Sequence, residues 1–218
     1  GQALDALADS GSDDAIMRVA HFATPVVMAL TRTSDERTQL MGLKIMSKLC
    51  ENNFNKFVMQ KDFDVIGELV PLLGRKDVTQ QAIICECLAK LASTENAFYG
   101  ENARALIEAR SIKPLMVLAK SRDPVVHRNA TWALACMTAT QRNHWPMRAA
   151  IDTLLLLVER GTPAAQRYAV MALSNLAATD KTREILIEKR TEAILRKCAQ
   201  ANPGDRMMTE LIQRTAMT

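Results

Sequence analysis

Four ten-residue strings of this 218-residue chain align with one another, and that repetition constrains the fold more than any other feature. They run Leu40–Leu49, Ala82–Leu91, Arg128–Met137 and Arg167–Leu176. Each closes on a large apolar residue, and successive closing residues lie 42, 46 and 39 positions apart. Met208 to Met217 reads as a degraded fifth copy. A near-constant period of this size means one supersecondary unit repeated along the chain. Each copy cannot bury its apolar face alone and so stacks on its neighbours.

Composition says what the unit is made of. Only 8 Gly and 7 Pro occur, and aromatic residues make up 4%. Sandwiches and barrels need frequent Gly/Pro turns and a supply of aromatic and β-branched residues. Ala, Leu, Lys, Arg, Glu, Gln and 12 Met dominate instead, and these favour helices. Within each unit the same order recurs: a short helix, a second helix, a turn and a long third helix. The third unit reads Glu101–Glu108, Ile112–Lys120 with Pro114 in its first turn, the turn Ser121-Arg122-Asp123-Pro124, and Val126–Thr138. The second reads Phe54–Gln60, Val65–Leu73 and Val78–Ala92, and the fourth a short helix near Met147, then Ile151–Glu159 and Ala164–Ala178. The fifth reads Arg183–Ile187, Glu192–Ala199 and a helix to the end; the first reads Asp14–Ala20, Pro25–Thr31 and Arg37–Cys50. The units are thus 1–50, 51–92, 93–138, 139–178 and 179–218 of one domain.

Other global signals are quiet. Lys+Arg 28 against Asp+Glu 24 gives a net charge of +4, without a polybasic run. Five Cys leave at least one thiol unpaired, and Cys85 and Cys87 are too close for a zinc knuckle. They read as small buried hydrophobes of a reducing compartment, the cytoplasm or the nucleus. No run is long and apolar enough to span a bilayer, and the start Gly1-Gln2-Ala3-Leu4-Asp5 has no leader pattern and no Met. A piece of a longer or trimmed chain, with any lipidation or targeting signal removed, is the expectation.

The units resemble armadillo repeats. Glu108-Ala109-Arg110-Ser111-Ile112-Lys113-Pro114-Leu115 is similar to that family's join between first and second helices. Asp123-Pro124-Val125-Val126 with Ala130-Thr131-Trp132-Ala133-Leu134 resembles its entry into the third helix. Ala169-Val170-Met171-Ala172-Leu173-Ser174-Asn175-Leu176-Ala177 resembles its most recognisable string. Arg110 stands where the family usually has Gly, and Gly42 replaces a packing Ala. HEAT repeats are a near neighbour. The resemblance implies an all-α, right-handed α-solenoid of about five three-helix repeats. Its third helices line a concave groove that recognises an extended peptide or partner helix and catalyses nothing.

Groove positions four residues apart share one helix face. Carried over from the family, the rungs are Leu40/Lys44/Lys48, Ala82/Glu86/Lys90, Arg128/Trp132/Cys136 and Arg167/Met171/Asn175. The candidate partner-binding residues are Lys44, Lys48, Glu86, Lys90, Arg128, Trp132, Arg167, Met171 and Asn175. Trp132 reads as a platform for a peptide, and Tyr168 and Asn129 lie just beyond the rungs. The importin-α subfamily combines a Trp and an Asn within one unit, and no unit here has the pair. Five cations face one acid, Glu86, on these rungs. The expected partner is therefore a protein segment that is extended and acidic, with apolar anchors, as for β-catenin-type grooves.

His21, His127 and His144 have no metal-ligand spacing, and no Ser-His-Asp, Cys-His or phosphate-loop pattern occurs. Trp145-Pro146 reads as a staple for the short fourth unit. Met17 and most other Met fall at core spacing. Met207-Met208 with Leu211-Ile212 forms an apolar face suited to dimerisation or to docking another domain. The sequence therefore predicts a scaffold or adaptor, not an enzyme, without cofactor or metal. The alternatives it leaves open are an importin-like transport adaptor for basic peptides, a basic surface on nucleic acid or anionic membrane, and a regulatory segment of a larger protein.

Overall fold

A computed structural model of the protein describes residues 13–217. Within these, the side chains of 13–17, Met207, Leu211 and 214–217 are not described. The expectations resting on Gly1–Asp5 and on the side chains of Met17, Met207, Leu211 and Met217 thus lie outside the described residues.

The described chain is helical throughout. Helix α1 is Asp13–Thr31, α2 Glu36–Leu49, α3 Asn53–Phe63, α4 Val65–Leu69, α5 Val78–Ala92, α6 Tyr99–Glu108 and α7 Ile112–Leu118. Then come α8 Pro124–Met137, α9 His144–Met147, α10 Ile151–Arg160, α11 Pro163–Leu176, α12 Asp180–Glu188, α13 Thr191–Ala201 and α14 Arg206–Met217. Helix α4 runs on as a 3-10 turn at Val70–Gly74, and 3-10 turns flank α9 at Gln141–Asn143 and Arg148–Ala150. The long helices α2, α5, α8, α11 and α14 stack on one another in chain order.

Two devices recur at fixed places. Each long helix opens on a side chain that accepts from its own first turn. Asp35 accepts from the Thr38 amide (2.8 Å), Asp77 from Gln80 (2.6 Å), Asp123 from Val125 and Val126 (both 2.9 Å), Thr162 from Ala165 (3.5 Å) and Asp205 from Met208 (3.0 Å). These are the first-turn amides that a helix leaves without partners. Pro124 and Pro163 follow two of these caps, where a missing N–H costs nothing. The second device joins first helix to second. Asp64, Arg110 and Arg190 all sit there with φ of 46°, 61° and 52°. At Arg110 the backbone closes with Arg110 N–H on the Ile107 carbonyl (2.9 Å) and Ser111 N–H on Leu106 (3.1 Å), the left-handed helix stop.

One continuous apolar cluster runs from Val27 to Ile212. Ile84, Leu88, Leu91, Leu106, Leu115 and Leu134 are among its fully buried side chains. All five cysteines are free and buried within it.

The first unit departs from expectation. Pro25 was expected to open a second helix, but α1 is one 19-residue helix with Pro25 inside it. Pro25 stands exposed, while the neighbouring Thr24 hydroxyl donates to the Ala20 carbonyl at 2.6 Å. Helix α1 lies close on α2: a Cβ added to Gly42 would fall 2.9 Å from Leu30 Cβ. Gly42 is therefore the residue that this approach requires.

Candidate functional site

The long helices carry the rungs, and an amide, a lysine or an arginine ties each to the next. Lys90 donates to Ser47 Oγ (3.2 Å) and its carbonyl (3.4 Å), Asn129 to the Ala82 carbonyl (3.0 Å), Asn175 to Thr138 Oγ1 (3.1 Å) and Arg167 to Asp205. The partners are 43, 47, 37 and 38 residues apart. These separations are the repeat period again, because each bond joins equivalent helices of adjacent units. Asn129 is buried and is fixed as one of these ties.

The structure brings the predicted cations together with more acids than the rungs alone supply. Lys44 and Lys48 are exposed on α2. Lys48 lies 3.2 Å from Glu51, an exposed pair of small energetic worth. On α5, Lys90 is 2.9 Å from Glu86 and 3.7 Å from Glu51. Burial opposes the Lys90 charge, but the bond and charge of Glu86, with Glu51 behind it, hold its ammonium above the ordinary lysine value. Arg167 pairs with Asp205, whose carboxyl is held below its usual range by that bond and by the Met208 amide. Arg128 is exposed, makes no ion pair among the described residues, and donates through Nε to Asn129 Oδ1 at 3.1 Å.

Glu51 and Asp205 were missed because neither stands on a rung. Glu51 follows α2, and Asp205 caps α14. Asp205 could have been found by pairing Arg167 with an acid one period further on.

The aromatic anchor is less open than expected. Trp132 is half-buried and stacks on Tyr168 across the α8–α11 seam, with centroids 6.0 Å apart and planes at 18°. Burial raises the Tyr168 phenol above its ordinary value. Met171 and Asn175 are half-buried beside it. Cys136, on the same face, is buried, and its thiol is pushed up to about 12. A cleft of ≈ 280 Å³ opens between α5 and α8, lined by Val78, Ile83, Glu86, Val125 and Arg128 among others. The stacked long helices thus carry cations, an aromatic pair and an apolar notch.

Among the described residues no group of three or more His, Cys, Asp or Glu could hold a metal ion. No described helix is long and apolar enough to cross a membrane. His144 is buried: Nε2 lies 2.9 Å from the Thr138 carbonyl and Nδ1 3.1 Å from Thr179 Oγ1. His127 Nε2 accepts from the Thr162 amide at 3.3 Å.

This geometry defines the class: an all-α solenoid whose stacked long helices form a ladder. The family model for the armadillo/β-catenin-like repeat matches residues 101–136. A comparison with curated proteins finds no match. Solved structures align over nearly the whole chain. The designed armadillo repeat protein YIII(Dq)4CqI is 20% identical, with TM-score 0.83, over 98% of this chain and 89% of its own. A computationally designed armadillo repeat protein for modular peptide recognition is 20% identical, with TM-score 0.83, over 99% and 90%. A designed armadillo repeat protein in complex with the peptide (KR)4 has the same identity and TM-score over 99% and 91%. The described chain thus has the fold of an armadillo repeat solenoid, with residues 101–136 matching the repeat itself and no subfamily distinguished.

Proposed function

We propose that the protein is a non-enzymatic scaffold or adaptor that binds an extended protein segment along its long-helix ladder. We further propose that the preferred segment is acidic. The observation that carries the reading is the set of exposed cations Lys44, Lys48 and Arg128 on α2 and α8, which both pack on α5, with the Trp132–Tyr168 pair further along the stack. The designed relatives with this fold include proteins for peptide recognition and one bound to a peptide, which supports the ladder as the binding face. Lys48 holds its acid only through a surface contact, so a partner carboxylate competes with Glu51 on even terms. Five free thiols support a reducing compartment, the cytoplasm or the nucleus.

A second reading rests on the relative bound to (KR)4: a transport adaptor for basic peptides, which would use Glu51, Glu86 and Asp205. Fluorescence anisotropy with acidic, basic and neutral extended peptides separates the two. The acidic peptide should bind tightest and weaken as salt rises. It should lose about tenfold or more in Lys48→Glu/Arg128→Glu. Tighter binding of the basic peptide, or indifference to both salt and the double substitution, rejects the acidic reading.

A further inference from the structure

Away from the ladder, an open cleft of ≈ 490 Å³ lies between α9 and the start of α12, lined by Gln141, His144, Trp145, Thr179, Asp180 and Lys181 among others. Sequence alone suggested that Trp145 staples the fourth unit. Instead its side chain is 51% exposed, in a chain with only two Trp. Large aromatic rings are usually buried, and an exposed one that is held in place is a strong contact anchor.

Trp145 is held in place by cations. The Arg148 guanidinium lies 4.0 Å over its ring, while Arg148 Nη1 donates to the Trp145 carbonyl at 2.6 Å. The Lys181 ammonium stands 5.7 Å from the same ring, although it comes from the next unit. Neither cation makes an ion pair among the described residues. Asp180, the carboxylate among the lining residues, is 3.0 Å from Arg183. Both ring nitrogens of His144 are occupied, so it forms a fixed wall and not a ligand. The cleft therefore presents an indole and Lys181, with Arg148 against the indole ring, and neither cation is matched by an acid among the described residues.

We propose that this cleft is a second docking surface, which takes a short acidic segment of a protein partner. A carboxylate pairs with the outward N–H edge of Arg148, a second acid meets Lys181, and the apolar residue between them packs on Trp145. A guanidinium already held over an indole, with one nitrogen bonded to a carbonyl, loses little freedom on binding, and its fork suits a carboxylate. Single-stranded nucleic acid fits less well. A base needs an open ring face, and Arg148 covers one. This proposal does not depend on the ladder.

The test uses the two indole N–H signals of the 15N-labelled full chain, assigned with Trp132→Phe and Trp145→Phe. The probes are a peptide of alternating Glu and Leu, its Lys counterpart and an oligothymidylate. The Trp145 signal should move with the acidic peptide alone. In Arg148→Gln/Lys181→Gln its half-saturation should shift at least about tenfold, while the Trp132 signal of the free protein stays in place and so reports an intact solenoid. The ladder reports separately through Trp132. A Trp145 signal that ignores the acidic peptide, that responds equally in the double variant, or that follows the oligothymidylate instead overturns the proposal.

Discussion

Arg110 marks how a single residue can oppose the conformation its fold demands. It holds φ 61° at a helix stop where the armadillo pattern usually places Gly. The left-handed conformation costs a side-chain-bearing residue about 1–2 kcal/mol, against roughly 0.5–1 kcal/mol of extra unfolded-state freedom for Gly. Arg110→Gly is therefore expected to raise the urea midpoint, by a gain of about 0.5–1 kcal/mol. Gly42 is the converse. Its missing Cβ makes room for Leu30, so Gly42→Ala should cost about 1–3 kcal/mol in the same measurement. Both positions were visible in the sequence as departures from the repeat, but their opposite signs needed the backbone angle and the neighbouring helix.

His144 gives a pH dependence with a definite sign. Burial pushes its imidazole below the ordinary value, with the Thr138 carbonyl opposing. Below about pH 6.5 the unfolded chain takes up a proton that the native site resists, so stability present above that pH is lost as pH falls towards the native value. Thermal melts on either side of that pH should show a steeper acid loss for wild type than for His144→Gln.

At the scale of elements, most of the architecture was legible because each long helix announces itself twice. An apolar string runs along it, and Asp or Thr opens it. The misreading fell on α1, where the same residue type has two meanings. Pro at a helix start is harmless, and Pro in the interior removes one backbone bond. Sequence spacing favoured the first meaning for Pro25, but packing of the whole helix on α2 and α3 enforces the second. Pro25→Ala should thus restore a bond and stabilise the protein by about 1–3 kcal/mol, read by thermal or urea unfolding.

For the whole molecule, the rung positions came from the armadillo resemblance laid onto helix periodicity, and their electrostatic partners came from neither. Arg167 meets Asp205 and Lys90 meets Glu51 because stacking superposes units, and charge counted along one helix cannot register that. The local excess of cations on the ladder is consequently smaller than a rung-by-rung count suggests, and it resides chiefly in Lys44, Lys48 and Arg128. Cysteine burial reaches further. Cys85 and Cys136 are pushed up to about 12, and Cys87 well above its ordinary value. A thiol in that state reacts only when its surroundings open, so a maleimide added to the native protein acts as a clock for local breathing. With Cys50, Cys85, Cys87, Cys136 and Cys198 spread along the stack, mass-resolved labelling becomes a positional record of fraying. Cys198, near the last helix, should be tagged first and the central Cys85 and Cys87 last, since a one-dimensional stack opens from its ends.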